Sequence, residues 1–141
     1  MSDSAPRLLI SLADDEGNSV SVYVLGRSPR WTAGLDAEIV VTPFVSGRID
    51  LALYVARLQA WADALNPLDA GEDVAWMAMS SGPSIFIQLT GERDCPEVIV
   101  EDESGSMVTV RVPLVPPDGW IADHRLRLRQ VMDHWVPMLS G

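Results

Sequence analysis

The period of the apolar residues constrains this chain more than any other feature: it is about two, then about 3.6, and that change occurs twice. Arg7 to Ala13 and Val20 to Leu25 alternate around Asp14-Asp15-Glu16-Gly17-Asn18, a polar turn with a glycine available for positive φ. After the longer loop Gly26 to Gly34, Leu35 to Thr42 places Leu35, Ala37, Ile39 and Val41 on one face and Asp36 and Glu38 on the other. Phe44 to Leu51 continues the alternation as a fourth strand. Leu51, Tyr54, Leu58, Trp61 and Leu65 then fall at spacings of three and four, which predicts an amphipathic helix. Asp50 is its expected cap. Asn66-Pro67 is its expected stop, because the residue before proline is disfavoured in the α region.

Strands resume at Val74 to Met79 and Ile85 to Thr90, then at Glu97 to Asp102 and Met107 to Leu114, each pair joined by a short Ser/Gly-containing turn. Pro116-Pro117-Asp118-Gly119 breaks the sheet before a second helix, whose apolar stripe is Ile121, Leu128, Val131, Trp135 and Met138 or Leu139. Neighbouring strands joined by short turns predict antiparallel pairing. The expected fold is α+β: a mainly antiparallel sheet of seven to eight strands with two helices on one face, in the order ββββ-α-ββββ-α. Neither a repeat nor an internal linker is visible, so residues 1–141 read as one domain.

Composition narrows the chemistry. The formal net charge is −10, and all ten basic residues are arginine. Such a field opposes nucleic acid and anionic membranes and favours basic partners. With no lysine, Schiff-base catalysis, a phosphate-loop lysine and a serine–lysine dyad are excluded. A single cysteine, Cys95, fits a reducing compartment, and no apolar run reaches the length of a membrane span, so a cytoplasmic protein is expected.

The segments Leu12 to Asn18, Val24 to Arg27, Leu35 to Val41, Phe44 to Arg48 and Pro117 to Trp120 resemble a family of small acidic proteins encoded mainly by streptomycetes, known only as a domain of unknown function. The resemblance runs over most of the chain and implies a bacterial origin. It brings no activity, cofactor or site residues.

Candidate sites are few. His124 and His134 lie ten residues apart on the second helix. That separates them by about 80° around the axis and about 15 Å along it, so they do not share a metal, and they read as partly exposed helix residues. Cys95 follows Asp94, which raises rather than lowers a thiol pKa. The acidic turns at Asp14 and Glu101 lack the spacing of a calcium loop. No catalytic motif, cofactor fingerprint or metal set is present.

Two features remain. The loop Arg27-Ser28-Pro29-Arg30-Trp31 places two arginines and a tryptophan, residues enriched at interfaces, in an acidic chain. The outward face of the strands carries Tyr23, Asp36, Glu38, Arg48, Phe86, Gln88, Glu101, Thr109 and Arg111. Arg27, Arg30, Trp31, Asp36, Glu38 and Arg48 are therefore the candidate partner-binding residues. The expected function is non-catalytic binding of a protein partner, in its specific form an immunity- or antitoxin-like inhibitor of a basic effector, or an accessory protein. Binding of a small molecule or peptide, and a structural homodimer, are the alternatives.

Overall fold

A computed structural model describes residues 5–29, 33–42, 47–77, 82–89, 96–102 and 107–139, and of residues 47 and 48 only the backbone. The elements run β1 (Leu8–Ala13), β2 (Ser19–Arg27), β3 (Gly34–Thr42), β4 (Gly47–Tyr54), α1 (Val55–Asp69), β5 (Val74–Trp76), β6 (Ser84–Gln88), β7 (Glu97–Asp102), β8 (Val108–Pro113) and α2 (Trp120–Leu139). This is the α+β order ββββ-α-ββββ-α. The eight strands are shared between two four-stranded antiparallel sheets, β1-β2-β3-β4 and β5-β6-β7-β8, each a simple meander. The chain thus has two halves of identical topology, a repeat that the sequence does not display.

The helices tie the halves together. α1 contacts β4 behind it, β5 ahead of it, and α2. α2, which follows the second sheet, packs instead on β1 and β2 of the first. Buried side chains of both sheets and both helices form one cluster. Leu35, Ala37 and Ile39 of β3, Ile85 and Ile87 of β6, and Trp61 and Leu65 of α1 are all at most 2% exposed. Period-two and helical apolar faces meet there as their spacing predicts.

Both expected ends of α1 are corrected. Strand β4 continues to Tyr54, because Leu51, Leu53 and Tyr54 stay paired with Ala37, Leu35 and Gly34 of the long β3. Leu51 and Tyr54 fit either period, and cross-strand pairing decides between them. Asp50 is therefore a strand residue, and Tyr54 is the N-cap, without a side-chain capping bond. Pro67 does not stop the helix but sits in its last turn. The stop is Gly71, at φ +82, which lets its own N–H donate to the Leu68 carbonyl and that of Glu72 donate to the Pro67 carbonyl.

His124 is a further correction. It is 1% exposed, not a surface residue. Its Nε2 accepts a hydrogen bond from the Ser11 N–H at 3.0 Å, so its Nδ1 carries the proton and donates to the Trp120 carbonyl at 2.7 Å. His134 is half-buried, with its ring edge-on to Trp135. Among the described residues, no helix is long and apolar enough to cross a membrane.

Candidate functional site

The hydrogen-bond alternation of the first sheet can be followed strand by strand. Val24 donates to Arg7 of the segment leading into β1, and Ser28, just past β2, donates to Gly34 of β3. By alternation along each strand, Tyr23 and Ser21 of β2 address β3, and Asp36 and Glu38 of β3 address β2. Leu35, Ala37 and Ile39 then address Leu53, Leu51 and Ile49 of β4. Asp50 and Ala52 are left presenting their N–H and C=O groups to the outer edge of β4, where no described strand pairs with them. On the opposite edge, the same count leaves the Ser11 N–H pointing outward, where His124 accepts it.

The side chains on the outward face follow from the register. Tyr23 pairs with Glu38, and Glu38 pairs with Asp50. Asp36 pairs with Gly26 on one side and Ala52 on the other. Tyr23 and Leu25 are 38% and 49% exposed, Asp50 is exposed, and Asp36 and Glu38 are half-buried. Glu38 and Asp50 form a non-hydrogen-bonded pair, the type in which facing side chains come closest.

This face runs into a cleft of about 590 Å³. Leu25, Asp36, Asp50 and Ala52 line it from the sheet, Tyr54 and Arg57 from the start of α1, and Gly82 and Pro83 from the segment before β6. Arg57 reaches back over the strand end: its guanidinium donates to the Ala52 carbonyl and lies 5.4 Å from the Tyr54 ring centroid. The cleft therefore combines carboxylates, a guanidinium, an aromatic face and edge-facing backbone groups.

A second hollow, of about 480 Å³, lies between the end of α1 and the start of α2. Arg125 spans it, donating to Asp69 at 3.2 Å and Asn66 at 3.0 Å, so its polar groups serve the helix–helix junction. Among the described residues, no three His, Cys, Asp or Glu side chains come together as metal ligands.

Of the residues picked from the sequence, the structure brings Asp36 and Glu38 together on one face, and Asp36 also into the cleft. Arg48 pairs with Val40 by its backbone on the outward register. Arg27 is exposed at the end of β2, paired with Leu35. Arg30, Trp31 and Cys95 lie outside the described residues. Phe86, Gln88, Glu101, Thr109 and Arg111 share the outward register of the second sheet, not the first, and Arg111 forms an ion pair with Glu97 at 3.2 Å. Asp50, Tyr54 and Arg57 were missed. Asp50 looked like a helix cap and Tyr54 like part of an apolar stripe, and only the extended β4 turns them toward the cleft.

No curated protein and no solved structure matches the chain. A family model does so over residues 8–136, from the first residue of β1 to near the end of α2, and the chain belongs to that family of unknown function, DUF5959.

Proposed function

We propose that this chain is a non-catalytic binding protein that receives a basic partner protein on the outward face of its first sheet. The observation that carries this reading is the pair of outward carboxylates Asp36 and Asp50, with exposed Tyr23 and Leu25 beside them. A cationic surface docked there would complement these carboxylates. Apolar and aromatic side chains next to the charges supply the contact area that charge alone does not. The net charge of −10 would steer such a partner from a distance. An immunity-like inhibitor of a cationic effector in the bacterial cytoplasm is the specific form of this reading.

The test is affinity capture from the source organism, using the wild type and Asp36→Asn/Glu38→Gln/Asp50→Asn, followed by measured association rates with the recovered protein. The reading expects one basic protein, lost in the triple variant, whose association slows at least tenfold between about 50 and 500 mM salt. Recovery of the same partner by both proteins, with rates indifferent to salt, would move the interface elsewhere. The cleft beside β4 supports a second reading, binding of a peptide or small ligand, since its volume is that of an ordinary ligand pocket.

A further inference from the structure

The first sheet has two outer strands, and helix side chains reach both. On the β1 side, α2 lies along the strand, with His124 accepting the Ser11 N–H and Trp135 Nε1 donating to the Pro6 carbonyl at 2.7 Å. On the β4 side, the described cover is a single side chain: the Arg57 guanidinium on the Ala52 carbonyl. Beside that bond lies the cleft, walled on its far side by Gly82 and Pro83. An edge strand with open backbone groups is a template for another strand.

We infer that the edge of β4 accepts an extended segment of the partner as an added fifth strand, with basic side chains at alternate positions. This rests on the acidic-face reading above and specifies how that face is used. The main chain would pair with Asp50 and Ala52. Residues of the added strand opposite those two fall on the outward face, two apart. A basic side chain opposite Asp50 meets that carboxylate directly. One opposite Ala52 reaches toward Asp36, the cross-strand partner of Ala52. The residue between them turns to the other side, where Leu51 and Pro83 line the cleft, and is apolar. The recognised pattern is therefore basic–apolar–basic in extended conformation, with specificity from side chains and affinity shared with the main chain.

Arg57 has a defined part in this scheme. It occupies the Ala52 acceptor that the added strand needs, and its charge opposes a basic segment. It guards the edge and must swing away on docking. Removing it should tighten binding, the opposite of what removal of a binding arginine would do.

The test uses the full chain, isotopically labelled, and the capped peptide Thr-Arg-Val-Arg-Val-Thr. Controls replace both arginines by glutamate, or N-methylate alternate peptide amides so that the strand cannot pair. The arginine peptide should shift the Asp50 and Ala52 amides and protect them from hydrogen exchange, while both controls bind at least tenfold more weakly. Asp36→Asn/Asp50→Asn should weaken the arginine peptide by roughly tenfold, and Arg57→Met, which keeps the aliphatic stem packed, should strengthen it several-fold. Equal binding of the N-methylated peptide at the same carboxylates would overturn strand addition while leaving the acidic-face reading intact. No response at β4 to any peptide, a response confined to β8, or concentration-dependent self-pairing of β4 without peptide would overturn the inference.

Discussion

At the scale of single residues, His124 joins α2 to β1 as a neutral imidazole, and burial pushes its pKa below the ordinary 6.5. Its own helix supplies opposing influences, the Trp120 carbonyl and Asp123 favouring the proton and Arg127 disfavouring it. Because the folded pKa is depressed, the unfolded chain binds a proton that the folded chain refuses. The stability this residue contributes is complete above about pH 6.5 and is lost as pH falls toward the folded value. Carboxylate titration relieves the net charge of −10 over an overlapping range, so the comparison must be made against a variant. His124→Gln should cost about 1–3 kcal/mol at pH 7 and show a flatter stability profile between pH 7 and 5 than the wild type, measured by urea unfolding. Asp14, held below its ordinary 3.8 chiefly by the Asn18 side chain, acts in a lower window, so its turn should persist until pH falls below that value.

Two tryptophans give a second comparison at this scale. Trp61 and Trp76 are both essentially fully buried, 5.3 Å apart between ring centroids. Trp76 Nε1 donates to the Arg57 carbonyl at 3.0 Å, while Trp61 Nε1 has no partner among the described residues. Replacement by phenylalanine deletes similar volume at each site. It removes a hydrogen bond at Trp76 and an orphaned donor at Trp61. Trp76→Phe should therefore destabilise by about 1 kcal/mol more than Trp61→Phe in thermal or urea unfolding.

At the scale of elements, the strands were legible because one-sided burial imposes a period of two that turns interrupt cleanly. Strands β3 and β7 start and end within a residue of their sequence boundaries. The α1 boundaries were not, because Leu51 and Tyr54 satisfy both periods and only pairing with β3 resolves them. The buried stripe of α2 is Ile121, His124, Leu128, Val131 and Trp135, spaced three, four, three, four, with only Ile121 partly exposed. The spacing pointed to His124, and its polarity concealed it. The β7–β8 hairpin supplies a prediction here. Met107 adopts φ +61 while 82% exposed, so its side chain gains little from packing and bears left-handed backbone strain. Met107→Gly should stabilise the protein by about 0.5–1 kcal/mol, read as a raised urea midpoint with unchanged slope.

At the scale of the whole molecule, the outward register of Asp36 and Glu38 followed from alternation alone. The division into two sheets did not, because period two shows which face of a strand is buried but not which strands end a sheet. That division turns β4 into an edge and so makes the cleft, and it separates Asp36 and Glu38 from Phe86 and Arg111. The central claim is that the outward carboxylates Asp36 and Asp50 serve a docked partner and not the fold. Asp36→Asn/Asp50→Asn tests this directly by urea unfolding at low and high salt. The account predicts a stability within about 0.5 kcal/mol of the wild type at both about 20 mM and about 1 M salt. A loss of more than about 1 kcal/mol at low salt would mean that these carboxylates serve the fold, and would remove the reason for reading the face as a docking surface.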